Sequence, residues 1–188
     1  MSGSYGVRAA GLAAWAQAEP AGEATRPRWF AVQTKYRFEK KVAAQLQQKS
    51  FEVYLPLRSE QHSWSDRQTR VTIPLFPGYA FVNIDHSREA RQAVLKTAGL
   101  LGFVSFGGAV VPVPAKQIEQ LQMLLEQKVR FSLHPFVRVG QRVRIRGGCL
   151  QGLEGVLLQL EKEKLVISIE SIQRSLAIEI AGYELDLV

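Results

Sequence analysis

The sequence predicts an α+β fold in two parts: a mixed α/β sandwich, in which helices flank an antiparallel sheet, and then a small all-β barrel. Up to about residue 127, short β-rich runs alternate with stretches of helical period. After residue 137 every apolar run is short and has period two. We therefore predict a mobile tail over residues 1–28, a first domain over 29–127, a linker over 128–136 and a barrel over 137–188.

The elements of the first domain are predicted in the order β-α-β-β-α-β-α. Strands are expected at 29–34, 51–57, 79–84 and 102–106, with an extended hairpin or loop at 58–70. Helices are expected at 36–49, 87–96 and 115–129. Phe38, Val42 and Leu46 recur at every fourth residue and indicate one face of the first helix. The stripe predicted for the last helix is Ile118, Leu121, Leu125 and Val129.

The second part is predicted to be a barrel because its four β-like runs are too short to form a stable flat sheet. These runs cover residues 142–146, 155–160, 165–169 and 176–180. Closing such a sheet on itself buries one face and removes the free edges. The side chains predicted to face inwards are Val143, Ile145, Leu165, Ile167, Ile169, Leu176, Ile178 and Ile180.

Charge and cysteine content restrict the class of protein. The net charge of the 188-residue chain is +7, and residues 26–75 carry ten Lys/Arg against four Asp/Glu, a balance of +6. Such a segment favours a face that approaches phosphates, although a solvated basic surface is the plain alternative. The lone Cys149 cannot form an internal disulfide, which favours a reducing cytoplasm. No apolar run is long enough to span a bilayer, so we expect no membrane contact, and we expect a monomer.

Signals for an enzyme are weak. The three histidines, His62, His86 and His134, lack metal-ligand spacing, and Cys149 has no histidine beside it in sequence. The glycines at 147, 148, 152 and 155 are not followed by the Lys-Ser/Thr of a phosphate-binding loop, and they fit hairpin turns instead. We therefore predict no catalytic residue, no metal site and no cofactor.

Two stretches resemble a known family. The first is PLFPGYAFV at residues 74–82, after a strand-helix-strand opening, and the second is VGQRVRIRGGCLQGLEGV at residues 139–156. Together they resemble the N-terminal domain and the KOW domain of NusG-type transcription factors. This resemblance implies a non-enzymatic protein that binds elongating bacterial RNA polymerase and promotes processive transcription by pause suppression and antitermination.

The C-terminal stretch is most similar to specialised paralogues of the RfaH type, which act as antiterminators on particular operons. Ile172, Gln173 and Arg174 stand where housekeeping NusG commonly has an aromatic residue and a glycine, and Leu150 stands where it often has Phe. These departures favour an operon-specific role, with a housekeeping NusG as the alternative. An alternative of another class is a ribosome-associated or RNA-binding KOW protein.

An aromatic group in the first motif is the candidate polymerase-binding site. Tyr79 and Phe81 share one face of a predicted strand, whereas Ala80 and Val82 point to the other face. The resemblance implies that Phe76, Tyr79 and Phe81 dock on the clamp helices of the largest polymerase subunit. Large rings at the centre of an interface commonly contribute about 2 kcal/mol or more each. The alternative is that these aromatics fill the core.

Further contacts are implied by the same resemblance. Upstream or non-template DNA is expected to meet the start of the first helix and the hairpin, through phosphate contacts and stacking on Tyr36. The alternative for each of these residues is a solvated surface. The nucleic-acid-binding candidates are Lys35, Tyr36, Arg37, Lys40, Lys41, Arg67 and Arg70. Arg91 is the candidate contact to the polymerase lobe. Leu150 and Ile172 are the candidate contacts of the KOW domain to a small-subunit ribosomal protein, whereas the departures at these positions disfavour termination factor Rho as the partner.

Overall fold

The computed structural model describes residues 26–64, 67–85, 87–127, 130–134, 140–157, 164–180 and 183–188. Residues 1–25, most of the predicted tail, lie outside the described residues, and Arg28 already belongs to the first strand. The N-terminal strands are β1 (Arg28–Thr34), β2 (Glu52–Tyr54), β3 (Leu57–Trp64), β4 (Arg67–Pro74), β5 (Tyr79–Ile84), β6 (Leu100–Phe103), β7 (Ser105–Phe106), β8 (Ala109–Val110) and β9 (Pro112–Val113). The helices are α1 (Glu39–Gln48), α2 (Arg88–Leu95) and α3 (Ala115–Glu126). None of the described helices combines the length and apolar composition required of a membrane-spanning helix.

The N-terminal strands form an antiparallel sheet in the order β2-β5-β1-β6, with β9 also paired to β1. Helices α1 and α2 cover one face, where Val42, Leu46 and Val94 pack with the buried side chains of β1 and β5. Ser87 caps α2 by accepting a hydrogen bond from the Ala90 amide at 3.1 Å, so the helix begins where the sequence predicts. The polar stretch predicted as a hairpin or loop is a hairpin, formed by β3 and β4.

The buried stripe of α1 differs from the predicted one by one position. The inward residues are Glu39, Val42, Ala43 and Leu46, whereas Phe38 precedes the helix and remains 37% exposed. Phe38 therefore packs at the edge of the core, against Gly99, and an acidic side chain takes the inward position. In α3 the buried residues are Ile118, Gln120, Leu121 and Leu124; Leu125 is half-buried, and Val129 lies outside the described residues.

The C-terminal part is an antiparallel sheet, as the period-two pattern predicts. Its strands are β10 (Phe131–His134), β11 (Gln141–Ile145), β12 (Glu154–Leu157), β13 (Lys164–Ile169), β14 (Arg174–Glu179) and β15 (Leu185–Leu187). They pair in the order β10-β14-β13-β12-β11-β15. All eight side chains predicted to face inwards are buried. Strand β10 lies within the stretch predicted as a linker and pairs with β14, where Phe131 faces Ile178.

Glycines shape the turn after β11 in two ways. Gly147, Gly148 and Gly152 have positive φ, as hairpin turns require. Gly155 does not, and its role is close packing: a Cβ there would lie 2.6 Å from the Val166 carbonyl oxygen on the neighbouring strand. Any larger residue at 155 would therefore push β12 away from β13.

A single hydrophobic cluster joins the two parts of the chain. It contains Phe81 of β5 and Leu121 of α3 together with Leu165 and Leu176 of the C-terminal sheet. Helix α3 contributes Ile118, Leu121 and Leu124 to this cluster, and its Gln120 side chain donates to the Glu154 carbonyl oxygen of β12 at 3.2 Å. The second face of the N-terminal sheet is thus covered by α3 and by this shared cluster.

Candidate functional site

The turn between β4 and β5 is fixed by backbone hydrogen bonds to its neighbours. Gly78 adopts a φ of +82°, and its carbonyl oxygen accepts from the Thr34 amide at 2.9 Å. The Gly78 amide donates to Glu39 Oε1 at 2.7 Å, and the Glu39 side chain is buried. The first residue of α1 therefore ties the helix to the turn that leads into Tyr79.

Glu39 supports the candidate site, and the sequence analysis did not predict this role. A buried carboxylate is costly unless its oxygens accept hydrogen bonds, and the Gly78 amide supplies one. The sequence contains an indication of this inward position: Glu39 lies three residues before Val42 and seven before Leu46, a spacing that places all three on one helix face. An acid at an inward helical position usually has a specific partner.

The three candidate aromatics lie close together in sequence but differ in exposure. Tyr79 and Phe81 do share the face of β5 that packs on the shared cluster, and Ala80 and Val82 pack on the opposite face, as predicted. Phe76 and Phe81 are 1% and 0% exposed, whereas Tyr79 is half-buried. Of this group, Tyr79 alone offers part of its ring to a partner without rearrangement.

Tyr54 supports this aromatic group from the adjacent strand. Its ring stacks on that of Phe81 with centroids 6.3 Å apart, and its hydroxyl is buried without a hydrogen-bond partner among the described residues. Burial, followed by the negative charge of Glu126, raises the pKa of Tyr54 well above its ordinary value. The sequence reasoning placed Tyr54 in a strand but assigned it no role.

The start of α1 forms an exposed basic and aromatic surface, which we call the basic turn (residues 35–41). Tyr36 is 69% exposed, and the guanidinium of Arg37 lies 5.3 Å from its ring centroid. Arg37 adopts a φ of +65°, which is uncommon for a residue with a Cβ and marks a tight turn. Lys40 donates to the Thr72 carbonyl oxygen of β4 at 2.6 Å, and the Lys41 ammonium lies 5.6 Å from the Phe38 ring centroid.

The remaining N-terminal candidates are separated from one another. Arg70 is exposed on β4, the strand to which Lys40 is hydrogen-bonded. Arg67 lies at the start of β4, and its side chain is outside the described part of the structure. Arg91 is half-buried on α2, on the other side of the sheet from α3.

Leu150 and Ile172 occupy positions that differ from those expected of partner contacts. Leu150 is fully buried, and Ile172 is 3% exposed. Each ends a short 3₁₀ turn, Gly148–Leu150 and Glu170–Ile172, and each turn folds its apolar residue into the shared cluster. Leu150 therefore points inwards, and a partner cannot reach its side chain unless the turn opens.

An ion-pair group at the junction of the two parts was also missed. Glu154 Oε1 lies 2.7 Å from Lys116 Nζ of α3 and 2.7 Å from Arg144 Nε of β11. The hydrogen bond with Lys116 is the main cause that holds the pKa of Glu154 below its ordinary value, with Arg144 adding to it. A single sequence could not predict this ion pair, because Lys116 and Glu154 are 38 positions apart and no local pattern relates them.

The described residues contain no group of three or more His, Cys, Asp or Glu side chains placed to hold a metal ion. What they do contain is a half-exposed tyrosine on a fixed turn, an adjacent basic turn and a junction between a helix and a β-sheet. Such an arrangement is suited to binding macromolecules.

Comparison with known proteins identifies the family. Residues 27–122 match the family described as "NusG: Transcription termination factor nusG". The chain is 28% identical over 178 residues to the Transcription termination/antitermination protein NusG of Lactococcus lactis, which covers 84% of this chain and 91% of that protein. It is 26% identical over 166 residues to the protein of the same name from Staphylococcus carnosus, covering 81% and 91%.

A solved structure shares the fold. The structure described as "Domain interaction in Thermotoga maritima NusG" matches with a TM-score of 0.53 and 24% identity, covering 86% of this chain and 98% of that one. The family match extends over both the fixed turn with Tyr79 and the basic turn. The chain belongs to the NusG family of non-enzymatic transcription termination and antitermination factors.

Proposed function

We propose that this protein binds elongating bacterial RNA polymerase in the cytoplasm and promotes processive transcription on particular operons by suppressing pauses and termination. The observation that carries the proposal is the fixed turn at Gly78, which leads into the half-buried Tyr79. Tyr79 pairs with Gln33 of β1, two residues before the basic turn begins. An aromatic anchor beside a phosphate-binding surface suits a protein that grips both polymerase and DNA.

In this proposal the aromatic group Phe76, Tyr79 and Phe81 binds the clamp helices of the largest polymerase subunit. Tyr79 makes the first contact because its ring is partly accessible. Phe76 and Phe81 support it from beneath and add their own surface only if the shared cluster opens. Arg91 is assigned to the polymerase lobe on the opposite side of the domain.

The basic turn is assigned to upstream or non-template DNA. Lys35, Arg37 and Lys41 are exposed and bear charges that attract phosphates irrespective of sequence. Tyr36 is the most exposed aromatic residue among the described large apolar side chains, and it can stack on an unpaired base. Arg70, which is exposed on β4, extends this surface along the hairpin. Arg67, at the start of the same strand, is also assigned to DNA.

The operon-specific role rests on the turn at Ile172, Gln173 and Arg174, which lacks the aromatic residue and glycine typical of housekeeping proteins. Gln173 adopts a positive φ of 53° there, although a glycine would do so at lower cost. The housekeeping role remains the second candidate, because the relatives reported above are NusG proteins. A small-subunit ribosomal protein is the proposed partner of the C-terminal sheet.

The test of polymerase binding uses Tyr79. We expect Tyr79→Ala to weaken binding to core RNA polymerase by about 30-fold, since a central aromatic contributes about 2 kcal/mol. Tyr79→Phe is the matched control, because it keeps the ring and should bind within a few-fold of wild type. Binding is measured by fluorescence anisotropy after thermal melting confirms that each variant is folded. A folded Tyr79→Ala protein that binds like wild type would exclude Tyr79 as the anchor. If neither wild type nor the variants bind polymerase, the alternative of a ribosome-associated or RNA-binding protein is favoured.

A second prediction concerns the junction that lies behind this site. Because the folded-state pKa of Glu154 is lowered from its ordinary 4.5, its ion pairs stabilise the fold above pH 4.5 and are lost as pH falls through the folded-state value. We expect wild type to lose more stability than Glu154→Gln between pH 7 and the acid range. Urea midpoints at low salt measure this difference.

The control for that experiment is Glu119→Gln, an exposed carboxylate of α3. It should lose stability in acid by as much as wild type does. If Glu154→Gln has the same acid dependence as wild type, the pairs with Lys116 and Arg144 do not form in solution.

A further inference from the structure

A cavity of about 520 Å³ lies where the N-terminal sheet meets the C-terminal sheet. Its walls are mostly apolar: Trp29 of β1, Phe106 of β7 and Val113 of β9 contribute on one side. The 3₁₀ turn Glu170–Ile172 contributes Ser171 on the other side. The volume is within the range of pockets that hold a ligand or several side chains.

The N-terminal segment of the chain is connected to the rim of this cavity. Pro27 and Arg28 line the rim, so residue 25 is only two positions from it. Residues 1–25 are thus tethered at the mouth of an apolar cavity. A tether of this length gives the segment an effective concentration at the cavity in the millimolar range. The segment can therefore occupy the cavity even if its intrinsic affinity for the cavity is weak.

The composition of the segment matches the cavity. Residues 9–16 read AAGLAAWA, with Leu12 and Trp15 as their large apolar side chains. Glu19 and Glu23 follow and can pair with the half-buried Arg28 at the rim. Trp15 is 12 residues from Pro27, a reach of up to about 40 Å when extended, which is ample for folding back.

We propose that this cavity is the docking site of the chain's own residues 9–16, with the indole of Trp15 between Trp29 and Phe106. Aromatic rings gain from such edge or offset contacts beyond the apolar area that they bury. Because the two walls come from different parts of the chain, the docked segment holds the C-terminal sheet against the N-terminal sheet. Its effect on polymerase docking rests on the proposed function, whereas the docking itself does not.

The test uses the full chain and no polymerase, so its failure is separate from a failure of the proposed function. Hydrogen exchange is followed in wild type, Trp15→Ala and the matched control Trp15→Phe. We expect Trp15→Ala to speed exchange about tenfold at residues 9–16 and at both walls, 111–115 and 170–172, for a site of about 0.1 mM affinity at millimolar effective concentration. Exchange in α1 should not change, and Trp15→Phe should keep most of the protection.

A second variant fills the cavity from its wall. Ala115 is exposed at the start of α3 and lines the cavity. Ala115→Trp should therefore fill the cavity and displace the segment. Hydrogen exchange at residues 9–16 should then become faster, whereas residues 170–172 should stay protected because the new indole covers them. Unchanged exchange at residues 9–16 in both Trp15→Ala and Ala115→Trp overturns the proposal. A small molecule that mass spectrometry finds co-purifying with wild type and Trp15→Ala, but not with Ala115→Trp, also overturns it and identifies a ligand as the occupant.

Discussion

Replacement of Phe81 by alanine is expected to destabilise the protein by about 3–5 kcal/mol. Phe81 is completely buried, it stacks on Tyr54 with ring centroids 6.3 Å apart, and it belongs to the cluster that joins both parts of the chain. Alanine would leave a cavity that the surrounding strands cannot close, because β5 is paired on both sides, with β1 and β2. A loss of this size is a large fraction of the stability of a small protein.

Urea unfolding followed by circular dichroism measures this loss, and an unchanged slope shows that the same surface unfolds. Tyr79→Ala is the matched comparison, since Tyr79 lies on the same face two residues earlier but is half-buried. Its cost should be clearly smaller. A cost below about 1 kcal/mol for Phe81→Ala would mean that the ring is not packed in solution and is available to a partner.

The expected instability of Phe81→Ala decides how the polymerase proposal can be tested. An unfolded variant loses binding whether or not the ring ever touches polymerase. Phe76 raises the same difficulty, because it is 1% exposed. Tyr79 is therefore the residue at which loss of binding can be separated from loss of the fold.

The fold could be predicted from the sequence because its patterns are local. Period two at Leu165–Ile169 and Leu176–Ile180 places side chains on alternate faces whatever surrounds them. Helix α2 could likewise be predicted from Ser87 and the absence of breakers after it. The strand Phe131–His134 falls within the predicted linker, because it is short and its pairing partner, Ile178, lies 47 positions away from Phe131.

The site was harder to predict because exposure depends on contacts that are distant in sequence. Alternation assigned Tyr79 and Phe81 to one face correctly, but that face is covered by α3 and the shared cluster. The pairs Lys116–Glu154 and Glu39–Gly78 join residues 38 and 39 positions apart. The family resemblance supplied which residues to consider, and the packing decides which of them a partner can reach.

Replacement of Leu150 by alanine is expected to cost about 2–5 kcal/mol, the range for a buried leucine whose site cannot collapse. Leu150 is fully buried although it lies in a turn, and the backbone around it is fixed: the Leu153 amide donates to the Leu150 carbonyl oxygen at 3.0 Å, and the Gly152 amide donates to Ile145 at 2.9 Å. A turn held at both ends cannot move in to fill the space.

Urea unfolding of the full chain measures the loss. Leu150→Met nearly conserves the volume and should cost less than about 1.5 kcal/mol. Leu133→Ala, at a half-exposed position of β10, should change stability by only about 0.5 kcal/mol. If Leu150→Ala were as mild as Leu133→Ala, the turn would be open in solution, and Leu150 would again be a candidate contact for a partner. If the loss is large, as we expect, Leu150 is committed to the core, and a partner that binds at this turn contacts the polar side chains around it instead.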